Sequence, residues 1–445
     1  VGYQGNGTLT INGGTVSNSN YAFIGDSAAS TSSVTVNAGS WTVQKDLFVG
    51  TMGSGSLIIN GGTVSSAAGI ISGYLGYSPT NTTATVLVKT NGTWNLNGTL
   101  FVGSDGQGTL TIDGGTVTGV GRLSLATFGG SAGTLNLGNG GSAGTLNAGY
   151  IEAGSGPATV NVNATNTTTL GARLTEVGGS KLVLNQLGTG TTILTGSNSQ
   201  TGLTTISAGT LQIGNGGTNG TLGRGAVVDN AALAFNRSNG ITVTNQISGS
   251  GALYQNGTGT LTLSGAKSYT GGTIINSGTL VTAGNETLDD SGAVTVNSGG
   301  TFKLGGNETV ASLGGAGTAD LGAKNLTLSS GSFSGALAGS GDLYKTGLGA
   351  FTLSGTSSAF TGDLYLQGGS VVASSTSALN ANNYVLLSAG STFTANQNLL
   401  LGGIDQNGGT INGSGVITAI STITRSGAIN GVLGDAAGYT SGLLK

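Results

Sequence analysis

The sequence predicts an all-β protein: a single-stranded right-handed parallel β-helix (solenoid) of about 19 coils, each of roughly 21–29 residues. Three observations predict it. A motif returns at an interval near 25 residues, each copy alternates apolar and polar residues before a glycine turn, and the composition is rich in glycine yet ordered.

The repeat is plainest at the start. Val1-Gly2 with Gly7-Thr8-Leu9-Thr10-Ile11-Asn12-Gly13-Gly14-Thr15-Val16 returns at Val49-Gly50 with Leu57 to Val64, and again at Val102-Gly103 with Leu110 to Val117. A fainter copy, Val34-Thr35-Val36-Asn37-Ala38-Gly39-Ser40-Trp41, falls 25 positions after Leu9, so the period is near 25 rather than near 50. Leu135-Asn136-Leu137, Val160-Asn161-Val162 and Leu182-Val183-Leu184 continue the series. Farther on the turn persists while the strands drift. The repeat-turn glycines are Gly14, Gly39, Gly62, Gly115, Gly209, Gly278, Gly299, Gly331 and Gly369.

Alternation before each turn puts Leu9 and Ile11 on one face and Thr8 and Thr10 on the other, as a half-buried strand requires. Asn-x-Gly then bends the chain, because Gly accepts positive φ and Asn bonds its own backbone. Stacked Leu, Ile and Val form the core, and coils ~4.8 Å apart predict a rod on the order of 90 Å long. Trp41 and Trp94 take the slot held by Val16 and Val117, so they are expected in the core or at a coil edge rather than as ligand platforms.

Glycine supplies 89 of 445 residues, proline 2, and charged residues 7%. Disordered chains are poor in β-branched residues and rich in charge or proline, the reverse of this one. With neither Cys nor His, disulfides, zinc and haem sites through these side chains are excluded, and no cofactor or metal is expected. A net charge of −3 offers no basic surface for nucleic acid. The longest apolar runs, such as Leu399-Leu400-Leu401, are strand-sized, so no membrane insertion by this segment is expected. The numbering opens at Val1 without a signal peptide, as expected of a processed or excised piece.

Three copies of a second unit follow. Leu194-Thr195-Gly196 leads to Gln200-Thr201-Gly202, Leu263-Ser264-Gly265 to Tyr269-Thr270-Gly271-Gly272-Thr273, and Leu353-Ser354-Gly355 to Phe360-Thr361-Gly362. With the preface Gly251-Ala252-Leu253-Tyr254-Gln255-Asn256-Gly257-Thr258-Gly259 and the trailing Gly278-Thr279-Leu280, the middle copy resembles the autotransporter-associated β-strand repeat of bacterial passenger domains. The third copy has the matching preface Gly339 to Gly347, while the first departs, with Gln200 at the aromatic position and Leu203 for the second Gly. The resemblance covers about residues 190 to 375 and implies right-handed β-helix coils that assist export. It also implies an extracellular or outer-membrane surface location on a bacterium. The membrane barrel of that family is not evident, since Asn430 to Lys445 lacks long amphipathic strands. Three regions are expected: 1–190 with Asn-x-Gly turns, 191–375 with the autotransporter-associated repeats, and 376–445 with C-terminal coils.

Without His or Cys, no Ser-His-Asp or Cys-His constellation is available. Gly25-Asp26-Ser27 is in register with the Val-Gly and Leu-Gly pairs at 49 and 75, and so reads as a coil turn. Asp289-Asp290 reads as a solvated turn, and Asp26, Asp105 and Asp405 as loop residues. The Thr8, Thr10, Thr35, Thr109 and Thr111 ladders resemble an ice-ordering face, but Ser, Asn and Ile58 break the lattice, leaving solvated strand faces. The expected function is a non-enzymatic adhesive or structural solenoid, working by self-association or by binding a cell-surface or matrix glycan or protein. Two alternatives stand beside it: a subunit of a self-assembling filament, and a polysaccharide-acting enzyme with clustered carboxylates.

Overall fold

The computed structural model describes residues 1–66, 71–78 and 82–435, in two compact units, Val1–Leu233 and Ala234–Lys445. Each unit is a parallel β-solenoid, and the described residues make about 19 turns without a helix. Of the tail read as Gly-rich coils, the strands Val416–Ile429 and Val432–Asp435 continue the stack. Residues 436–445 lie outside the described residues.

In the first unit, equivalent residues of successive coils pair in parallel: Leu9 with Val34, Val34 with Leu57, Leu57 with Val86, and onward through Leu110, Leu135 and Val160 to Leu184. Period-2 alternation turns this whole column inward, and from Val34 onward its members are almost completely buried. A second inward column runs beside it from Ile11 through Val36 and Ile59 to Val162. In the second unit Leu326, Leu343, Leu364 and Val385 form the equivalent column, with Phe351, Val371 and Phe393 alongside.

Coil length differs between the units. Asn pairs that bond across coils lie 23 to 25 positions apart in the first unit and 18 to 21 apart in the second, where Asp342 N–H also reaches Asn325 Oδ1 across 17 positions. The expected range of 21–29 therefore holds over most of the first unit; the spacing drops to 20 between Leu184 and Thr204 and to 19 between Thr191 and Thr210, and many second-unit coils are shorter. Corner-crossing strands occur in both units: Leu326–Phe333 pairs with Leu343–Lys345 at one end and Ala350–Leu353 at the other, as Thr93–Val102 pairs with Thr63–Ser66 and Ile71–Leu75.

Trp41 and Trp94 occupy one inward column, Val16–Trp41–Val64–Trp94–Val117. Both are buried, at 3% and 0% exposure. A Cβ at Gly73 would lie 3.1 Å from Leu100 Cδ1 and at contact distance, 3.6 Å, from Trp94 Cζ2, so the ring packs directly against this stretch of backbone. Trp94→Ala is expected to cost about 3–5 kcal/mol in urea unfolding, and Trp94→Phe clearly less; equal losses would mean that ring volume is not what the site requires.

Candidate functional site: the repeat lock and the outward ladders

Of the buried polar side chains that interrupt the apolar columns, Gln186, Gln255 and Lys345 share one arrangement. Each opens the sequence polar-x-Gly-x-Gly and turns back on its own loop. Gln186 Nε2 donates to the carbonyls of Gly188 and Gly190 at 2.8 and 3.2 Å. Gln255 Nε2 donates to Gly257 and Gly259 at 2.7 and 3.1 Å. Lys345 Nζ donates to the Gly347 carbonyl and, at 3.1 Å, to that of Gly368 on the next coil. These donors satisfy carbonyls that face the interior, which burial would otherwise leave costly.

One coil later a glycine settles on each loop. Gly209, Gly278 and Gly369 have φ of 64°, 64° and 61°. A Cβ on them would lie 2.2, 2.4 and 2.5 Å from the carbonyl oxygens of Gly190, Gly257 and Gly347. Both the left-handed backbone and the close approach demand glycine here. Thr210 and Thr279 N–H then donate to the Gly190 and Gly259 carbonyls at 3.0 and 3.1 Å. Polar side chain, Gly-x-Gly loop and following glycine form one lock between two coils, made three times.

The signature residues lie between the halves of this lock. Tyr269 and Phe360 point into the core, at 2% and 0% exposure, and the Tyr269 and Thr273 hydroxyls are 2.6 Å apart. Thr270 and Thr361 N–H bond the Gly249 and Gly339 carbonyls, and a Cβ on Gly271 or Gly362 would strike Gly251 or Gly341 oxygen at 2.4 or 2.0 Å. In the divergent first copy Gln200 takes the buried aromatic position and donates to the Leu222 carbonyl at 3.1 Å. Glu176 steadies that copy, accepting from Leu182, Thr201 and Gly202 N–H at 2.8, 2.8 and 3.2 Å. Burial opposes its charge, but these bonds prevail and hold its carboxyl below the ordinary value.

Of the other turn glycines, Gly14, Gly39, Gly299 and Gly331 have positive φ. Gly62 and Gly115 lie outside that region and serve close approach instead, their Cβ positions falling 2.6 Å from Val36 Cγ1 and 2.5 Å from Lys89 oxygen.

Outward positions stack as strictly as inward ones. Phe23, Phe48, Tyr74 and Phe101 are successive rungs, with ring centroids 4.9, 4.7 and 5.0 Å apart and planes within 15° of parallel. Tyr21 and Tyr77 meet Phe48 edge-on at 6.0 and 5.5 Å, and Lys45 Nζ lies 4.9 Å from the Tyr21 centroid. Tyr344 and Tyr365 make a shorter stack at 4.6 Å. A turn-based reading of the sequence passes over these rings. Their signal is an aromatic residue two places before Gly25, Gly50, Gly76 and Gly103.

Acids approach one another in pairs, Asp342 with Asp363 and Glu286 with Glu308. Among the described residues no group of three or more could hold a metal ion. Asp289 caps its own turn, accepting from Ser291 N–H at 3.0 Å. Asp405, expected in a loop, lies instead in the strand Leu399–Asn412 and pairs with Arg425 at 3.0 Å; it precedes the turn glycines Gly408 and Gly409 on the strand side, as Thr10 precedes Gly13 and Gly14. Three other acids are buried, Glu152, Asp229 and Glu308, the first of them paired with Arg122. Burial pushes Asp229 up to about 6 and Glu308 up to about 7, although Leu288 and Thr287 N–H donate to Glu308 at 2.9 and 3.2 Å.

The profile of the passenger-associated-transport repeat matches residues 184–213, 253–281 and 343–373. Each match opens one strand residue or more before a lock and closes beyond its second glycine. A 141-residue segment is 38% identical to the adhesin BmaC autotransporter of Brucella suis biovar 1 (strain 1330), covering 29% of this chain and 4% of the adhesin. The expected resemblance to autotransporter passengers is borne out, and with it an extracellular or outer-membrane surface location. No helix among the described residues is long and apolar enough to cross a membrane.

Two expectations follow from the lock and the buried acid. Lys345→Gln, which installs the donor of the other two copies, is expected to unfold in urea within about 1 kcal/mol of the parent, while Lys345→Met loses about 1–3 kcal/mol by orphaning two carbonyls. Glu308 keeps its proton in the folded chain to a higher pH than in the unfolded one. Its contribution is therefore present below the ordinary carboxylate range and fades as pH rises toward and through about 7. Thermal midpoints of the parent, relative to Glu308→Gln, should fall between pH 5 and pH 8; a constant difference would refute the assignment.

Proposed function

We propose that this passenger-like β-solenoid is a non-enzymatic adhesive element of the bacterial outer surface, which binds cell-surface or matrix molecules through its outward ladders. The observation that carries this reading is the alignment of like, mostly uncharged side chains on successive coils. Asn136, Asn161 and Asn185 are linked amide to amide at 2.9 Å, as are Asn256, Asn276 and Asn297 at 2.7 and 2.6 Å. Repetition multiplies weak contacts, since a ligand that itself repeats engages many rungs at once. The name of the adhesin relative supports the same reading. An enzyme on polysaccharides would need two free acids facing one another. Here Asp289 is engaged in its own turn and Asp405 in an ion pair, while the neighbouring Asp342 and Asp363 each accept a backbone N–H of the next coil, from Asp363 and Tyr384, at 3.0 Å.

Polystyrene beads covalently coated with the full chain are expected to settle on matrix-coated and cell-covered surfaces about tenfold more than beads coated with an inert protein. Retention no better than that control on every surface, with the chain shown to be folded on the bead, would end the adhesive reading.

A further inference from the structure

One outward face of the first unit is concave. A cavity of about 410 Å³ opens over the strands that carry Ile58, Leu87, Thr111, Asn136 and Asn161, the outward rungs of five successive coils. Ser56, Thr85 and Thr109 form a parallel row of hydroxyls beside them. Asn139, Asn163 and Leu187 stand on the corner and complete the wall.

The concavity has a cause in the sequence. The first coil turns this corner with residues 12–14, between Thr8–Ile11 and Thr15–Asn18. Residues 138–144 make the same corner between Ala132–Leu137 and Thr145–Ala153, and the longer loop stands out beside the flat ladder. It is held in place from the next coil: Gly140 N–H donates to Asn163 oxygen, Thr165 N–H to Gly141 oxygen, and Ala143 N–H to Asn166 Oδ1, each at 2.8 Å. The wall is preformed.

We infer that this groove binds a neutral, hydroxyl-rich glycan chain, an inference that rests on the adhesive reading above and names its ligand class. None of the lining residues carries a charge, so an anionic polymer gains nothing there and loses solvation. Asn136 Nδ2 donates to Thr111 Oγ1 at 3.1 Å and Asn161 Nδ2 to Asn136 Oδ1 at 2.9 Å. Each amide has a second N–H and a second lone pair beyond those bonds. A side-by-side donor and acceptor matches a pair of neighbouring sugar hydroxyls. Ile58, Leu87 and Leu187 supply the apolar surface that covers the C–H face of a ring. The rungs repeat at ~4.8 Å, on the scale of one pyranose unit, so a chain laid along the groove meets equivalent groups in succession. An extended peptide fits less well, because the backbone groups of the floor are spent in pairing between coils.

The test titrates the full chain by calorimetry with neutral hexasaccharides (cello-, malto-, laminari- and chito-series) and with hyaluronan hexasaccharide as the anionic probe. At least one neutral hexamer should bind with Kd below about 1 mM. Thr111→Arg, on the groove floor, should weaken it about tenfold or more, while Thr10→Arg, in the same column on the first coil, changes it less than about twofold. Circular dichroism confirms that both variants are folded. The inference is overturned if no neutral hexamer binds, if folded Thr111→Arg binds like the parent, or if hyaluronan binds more tightly. Failure of the groove and failure of adhesion are distinguishable. Beads that still adhere, but lose adhesion when the surface is treated with protease rather than periodate, leave adhesion standing with a protein partner; beads that never adhere remove both.

Discussion

Everything in this protein depends on parallel, in-register pairing of each coil with the next. Once Leu9 pairs with Val34 and Val34 with Leu57, each position of a coil lies over its equivalents above and below. A side chain is then selected for how well it stacks on its own kind at ~4.8 Å. Apolar residues stack into a core and amides stack by donating to one another. Like charges repel by about 1 kcal/mol at 4 Å in bulk water, and by several times more near protein of lower dielectric. A stack therefore tolerates few ionised ladders, which accounts for charged residues at only 7% of the chain.

The same register makes corners the difficult part. A strand satisfies its backbone on both sides, but a tight corner turns carbonyls inward with no strand to pair them. The lock built from Gln186, Gln255 and Lys345 answers that problem from within the column, by putting a donor where an aliphatic residue would otherwise stand. Lysine can serve as well as glutamine because the position requires N–H groups directed at two carbonyls, and it requires little else. Burial lowers the affinity of Lys345 for its proton, so the charge is not the feature that fits it to the site.

What the sequence reveals follows from the range over which each signal acts. Strand faces and turn glycines are local: alternation around Leu9 and Ile11 and the Asn-x-Gly corner can be read within one coil. Trp41 and Trp94 were legible too, because each stands in a slot whose other occupants are valine. Contacts between coils are harder to read, since they depend on register, and coil length varies from 25 positions in one stretch to 17 in another. The aromatic stack was hidden for this reason: Phe23, Phe48, Tyr74 and Phe101 become neighbours only when the length of every intervening coil is known. Asp405 differs for another reason: the Asn407-Gly408-Gly409 corner that follows it keeps its pairing, so one strand runs from Leu399 through the corner to Asn412 and carries Asp405 with it.

A regular stack by itself produces flat faces, and a flat face makes a poor site because it cannot surround a ligand. Concavity must come from departures from the repeat. The cheapest departure is a longer corner, since residues added there leave the strand register on either side intact, and Leu135 still pairs with Val160 past the 138–144 loop. The ladders supply repetition and the corners supply shape. Sequence drift confined to corners can therefore reshape an outward face while the pairing that folds the solenoid stays the same.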